Sequence, residues 1–197
     1  MLPQRHSTRV SDEVLLDAVR SCVLTIGVRR TTLTDVARLA GVSRMTLYRR
    51  FPDVRTLLTA LMTREFSSLF CQFDSGATAR EQLVDGVVKS VQHLLANPVL
   101  NRVLDLDPEL LLPYVVERLG STQRLAEQFL REQLAVGHAD RSIRVADPVV
   151  QARALLLAVQ SFVLSSRAAT VDVSAEDLAA ELAALVDGCL RPKEGTA

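Results

Sequence analysis

The chain has 197 residues, 48% of them hydrophobic and 23% charged, and its 23 basic and 23 acidic side chains cancel to a formal net charge of zero. That length supports one large domain or two small ones, while no uninterrupted apolar run approaches the ~18 residues of a membrane span and "MLPQRHSTRV" lacks the apolar segment of a secretory signal. Cys22, Cys71 and Cys189 are far apart and match no metal or redox spacing, so they read as small buried hydrophobes in a reducing cytoplasm.

Helical periodicity runs through the sequence and no segment alternates with period two over a strand's length, so the expected class is all-α. In chain order, helices are expected over 11–26, 33–40, 44–50, 54–73, 78–96, 98–106, 108–118, 120–137, 148–167 and 175–190, with loose ends before Ser11 and after Pro192. Thr32-x-x-Asp35, Thr78-x-x-Glu81 and Ser174-x-x-Asp177 resemble capping boxes. Asn97-Pro98, Asp107-Pro108 and Asp147-Pro148 each set a capping side chain before a proline at the first helical position. Pro113, inside "ELLLPYVVERLG", is expected to kink or split its segment.

Charge is distributed unevenly. Residues 1–60 hold ten Arg against five Asp/Glu, net +5, and residues 61–197 hold thirteen Lys/Arg against eighteen Asp/Glu, net −5. A basic front on an acidic body suggests that only the front meets a polyanion. Within that front lies "GVSRMTLYRRFPD", residues 41–53, with room for barely two helical turns. Such a helix does not persist alone in water. Leu47 and Phe51 are its apolar anchors, and its other faces carry Arg44, Met45, Thr46, Tyr48, Arg49 and Arg50. Ala37 is small where a second helix crosses, Gly41 suits a tight turn with positive φ, and Leu47 buries the second helix on the first. This spacing is that of a helix-turn-helix, whose second helix enters the major groove of DNA.

The string "TTLTDVARLAGVSRMTLYRRFPD", followed by "LLTAL", resembles the TetR family of bacterial transcriptional regulators. The matches are Thr32, Asp35, Ala37, Ala40-Gly41-Val42-Ser43, Thr46-Leu47-Tyr48, Phe51 and Leu57-Leu58, within a resemblance covering roughly residues 10–60. It implies an arm over 1–9, a DNA-binding domain over 10–55 with its motif at 32–51, a helical effector-binding and dimerisation domain over 56–192, and a tail over 193–197. Ser43 is the expected N-cap of the reading helix. Arg44 can make a bidentate contact to guanine, worth about 1–3 kcal/mol of discrimination. Thr46 and Tyr48 offer hydroxyls to phosphates, Arg49 and Arg50 add charge beside the backbone, and Thr32 and Thr34 stand at the mouth of the preceding helix. Two positions depart from the family's pattern. Val54 stands where Lys is frequent, with Arg55 next to it, and Met45 stands where Gly is frequent, which offers an apolar contact to a thymine methyl. Arg5, His6 and Arg9 of the arm can reach a minor groove.

In the body, 148–166 is apolar nearly all round, and the last helix carries Leu178, Leu182, Leu185 and Cys189 on one stripe beside Ala179, Ala180, Ala183 and Ala184. Two such helices from each of two chains would form an isologous four-helix bundle, and the resemblance implies dimerisation through the same two helices. Glu65, Tyr114, Gln133, Arg153 and Gln160 stand on or beside apolar faces where polar groups need partners. Those partners are either a small, mostly apolar effector or one another. No Gly-rich phosphate loop, metal-ligand pair or nucleophile elbow is present, so neither catalysis nor a cofactor is expected. The reading is a cytoplasmic homodimeric repressor of duplex operator DNA, away from membranes. A TetR-like protein that answers to a partner protein or to no ligand, or that activates, stays open.

Overall fold

The computed structural model describes residues 11–67 and 78–192, and all regular structure among them is helical. The described helices are α1 (Asp12–Ile26), α2 (Leu33–Leu39), α3 (Arg44–Arg50), α4 (Val54–Ser67), α5 (Ala79–Ala96), α6 (Pro98–Leu106), α7 (Ser121–Ala139), α8 (Pro148–Ala169) and α9 (Ala175–Leu190). The arm with Arg5, His6 and Arg9, residues 68–73 of the expected fourth helix, Cys71 and the tail 193–197 lie outside the described residues.

Capping chemistry sets most helix starts. Thr32, Ser43, Thr78 and Ser174 each accept the backbone N–H three residues on, and Asp147 accepts those of Val149 and Val150. The segment expected as one helix over 108–118 is divided into a 3₁₀ turn at Pro108–Leu110 and a π-helical turn at Pro113–Glu117. Pro113 supplies no N–H and its ring crowds the preceding turn, so a continuous helix cannot cross it.

Asp107 departs from its expected role. It caps nothing ahead of it. Its side chain, 5% exposed, turns back to accept the N–H of Val28 at 2.9 Å and of Arg29 at 3.5 Å. The cause lies in the chain it meets: α1 stops at Gly27, whose φ of 84° and ψ of 167° fall in a region open essentially to glycine alone. The buried N–H of Val28 then needs an acceptor. Asp107 supplies it from 79 residues away.

Packing separates two compact units. The described residues up to Arg64 join Pro98–Leu112, and the described residues of 65–97 join those from Pro113 to Pro192. The boundary inferred from the sequence, at 55/56, gives α6 to the second domain, whereas α6 packs with the first unit. Val99 and Val103 lie in one buried cluster with Leu15, Val19, Val23, Leu47, Leu57 and Leu61.

In the second unit α7 packs on α8 and α5 on α9, over a core that includes Leu83, Val91, Leu134, Leu155 and Val186. The apolar stripe of α9 divides. Leu182 is 1% exposed inside its own unit, while Leu185 is 61% exposed and Cys189 shares its exposure. Burial thus holds for Cys22 but not for Cys189. α8 is long and apolar enough to cross a membrane by length and composition, and two polar pairs tie it to α7: Arg153 with Glu127, and Gln160 with Gln123. Beside those pairs, on the side turned away from buried Leu155 and Val163, Val150 and Leu157 stay in solvent.

Candidate nucleic-acid interface

The first unit presents α3 at its surface, with Arg44, Met45, Tyr48 and Arg49 exposed. Leu47 (0% exposed) and Phe51 seat the helix against Val36 and Ala37 of α2 and against α1. The α2–α3 turn needs Gly41, whose φ is +67°; an L side chain there carries a conformational cost of roughly 1–2 kcal/mol. Ser43 Oγ accepts the N–H of Thr46 at 3.1 Å and lies 2.8 Å from Thr46 Oγ1, so both hydroxyls hold the start of α3. The Thr32 hydroxyl donates to Asp35 at 2.6 Å, which holds that carboxyl below its usual pKa, and the Thr56 backbone N–H does the same for Asp53 at the start of α4.

The expected DNA-facing residues sit as follows. Arg44, Met45, Tyr48 and Arg49 are exposed on α3, with Thr32 and Thr34 exposed at the start of α2. The Arg44 guanidinium lies 6.0 Å from the Tyr48 ring centroid, a cation–π pair that preorganises both groups. Arg50 differs. Its guanidinium donates to Asp12 of α1 at 2.6 Å and its side chain is 22% exposed, so it braces α3 against the neighbouring helix. Arg30 and Arg55, exposed on the flanks, extend the basic surface; Arg30 was missed in the motif because it precedes the capping box. Replacing Arg49 by Ala should weaken duplex binding similarly across sequences and reduce the salt slope by about one. Anisotropy titrations at several salt concentrations measure this, and a sequence-dependent loss would assign Arg49 to base reading.

The family profile described as "Bacterial regulatory proteins, tetR family" matches residues 15–61. An HTH-type transcriptional regulator of Mycobacterium bovis is 33% identical over 176 residues, covering 89% of this chain and 92% of that protein. The chain belongs to the TetR family of bacterial transcriptional regulators. It is thus a DNA-binding helix-turn-helix protein, in a family that is not a class of enzymes. Among solved TetR-like structures, the repressor AlkX of Dietzia sp., implicated in biodegradation of n-alkanes, superposes with a TM-score of 0.66 at 21% identity, covering 94% of this chain and 96% of that one. The complex of triclosan with SmeT, a repressor of a multidrug efflux pump in Stenotrophomonas maltophilia, gives 0.61 at 22% identity, covering 94% and 98%.

For this TetR protein three of the five polar candidates of the body, Glu65, Arg153 and Gln160, hydrogen-bond through their side chains to other side chains. Glu65 accepts from Asn97 at 3.1 Å. Arg153 makes a bidentate pair with Glu127 at 3.0 and 2.9 Å, which raises the guanidinium pKa. Gln123 donates to Gln160 at 2.7 Å and to the Tyr114 carbonyl at 3.0 Å, so these two candidates meet through a third residue. Gln133 is half-buried on α7. A cavity of about 460 Å³ opens elsewhere, among α5, α8 and α9, lined by Val91, Gln92, Leu95, Phe162, Ser165 and Leu182 among others. None of the five candidates lines it. Its walls bring α5 together with α8 and α9, which lie far along the chain from it, so no local spacing points to them.

Proposed function

We propose that this chain is a repressor that binds a pseudo-palindromic operator as a two-fold dimer and leaves it when a small, mostly apolar molecule occupies the body. One observation carries the DNA reading: α3 is too short to fold alone, is anchored by Leu47, and exposes Arg44, Tyr48 and Arg49. Selection of duplexes from a random library by the full-length protein tests it. An enriched motif that Arg44→Ala relaxes at one base supports the reading, and no enrichment removes it.

Dimerisation is supported by Val150, Leu157 and Leu185, 65%, 53% and 61% exposed on α8 and α9. An apolar face of this kind is stabilised by a self-complementary partner. Two reading helices then address two half-sites. Such a protein works in the cytoplasm, where its operator is.

The cavity among α5, α8 and α9 supports the effector reading better than Glu65, Arg153 and Gln160, whose partners are already in place. Its size falls in the range of small-molecule sites, and its lining is mainly apolar with several hydroxyls, the Gln92 amide and the Glu176 carboxylate. α4 begins directly after the reading helix and is shared by both units, so it links the body to α3 covalently. For regulation the ligand must favour the non-binding arrangement by about 1–3 kcal/mol. Hits from a thermal-shift screen of lipophilic compounds should release the operator. Gln92→Trp, at an exposed cavity position, should weaken the response to such a hit about tenfold or more while leaving operator affinity intact. An unchanged response would move the effector out of this cavity.

A further inference from the structure

α3 carries one side chain that neither its packing nor its charge explains. Met45 is 77% exposed, more so than Leu39 (57%) or Tyr48 (41%) on the same motif. At about 100° per residue it stands roughly 200° from Leu47, on the crest facing away from the core, with Arg49 one turn along on the same side. Around it the exposed groups are Arg44, Tyr48 and Arg49. An apolar side chain on a cationic crest has no partner in a phosphate backbone. On the base edges of the major groove the apolar group is the thymine C5 methyl. An unbranched thioether adapts its shape to such a contact, and the surrounding arginines bring a polyanion to it.

We propose that Met45 reads a thymine methyl in each operator half-site, so that specificity at this position comes from burial of the methyl and not from a hydrogen bond. This rests on the reading of the chain as a sequence-specific DNA-binding dimer. The probe is the tightest duplex recovered from a random library by the full-length protein, with each thymine replaced in turn, symmetrically in both half-sites, by deoxyuridine. Pairing is unchanged by that replacement and only the methyl is lost. At one position the wild type should lose about fourfold per half-site, about 15-fold for the symmetric pair, the scale of one methyl returned to water. Met45→Ala, which keeps helix propensity, should bind the thymine and deoxyuridine duplexes alike at that position. A wild type indifferent to every replacement, or a Met45→Ala protein that keeps the full loss, would overturn the assignment to Met45. Absence of any enriched duplex would instead remove the sequence-specific reading beneath it.

Discussion

Substituting Leu157 and Leu185 together by Glu is expected to yield a folded monomer whose operator affinity is about 10²–10⁴-fold lower. Both side chains are more than half exposed in the single chain, so two carboxylates there stay hydrated and disturb its fold little. In a dimer the same carboxylates would lose water against an apolar partner, a heavy cost without compensating hydrogen bonds. Separated chains present one reading helix each, and the second half-site is no longer held at high effective concentration. Light scattering at micromolar concentration, paired with operator titration, measures both effects. A dimeric mass or an unchanged affinity would place the interface elsewhere. Leu182, which the sequence placed on the same stripe, is the wrong site for this test. At 1% exposure a charge there breaks the subunit's own core.

Asp107→Ala should lower stability by about 2–3 kcal/mol, because a buried backbone N–H loses a charged acceptor. For a chain of this size that corresponds to a fall in Tm of about 4–12 °C. Asp107→Asn keeps an acceptor oxygen in place and should recover part of the loss. Arg29→Ala should cost at most about 1 kcal/mol, since its side chain is 64% exposed and screened by water. Thermal melts of the three variants rank these contributions. Equal losses for Asp107→Ala and Arg29→Ala would transfer the main effect to the ion pair.

The helix-turn-helix was legible because its information is local. Thr32 and Ser43 cap within three residues of themselves, Gly41 turns the chain between them, and Leu47 and Phe51 lie four apart. The division of labour among the arginines was not legible. Arg49 and Arg50 are neighbours of equal charge, and only the approach of Asp12, 38 residues earlier, turns Arg50 inward. In the body, apolar periodicity located α8 and α9 but could not tell which side of α9 meets its own core. Leu182 and Leu185 differ by three positions, close enough for one stripe, yet where α9 packs on α5 the first is buried and the second stays exposed. Gln160 and Arg153 read as polar groups in search of partners, and Gln123 and Glu127 on α7 supply them. That pairing depends on how two helices align, a quantity that neither helix's pattern contains.

The reach from Asp107 to Val28 also has a bearing on synthesis at the ribosome. The DNA-binding unit is discontinuous, and Val99, Val103 and Asp107 complete its interior. A nascent chain that has emerged only to Arg64 therefore carries the whole reading motif without the residues that close its core. At about 5–20 residues per second it waits a few seconds for α6 to be made, and the long loop must then be closed against its entropy. A premature stop within residues 65–97 would thus release an incompletely folded fragment. Such a product should be cleared by proteases before it could occupy a DNA site in competition with the full-length protein.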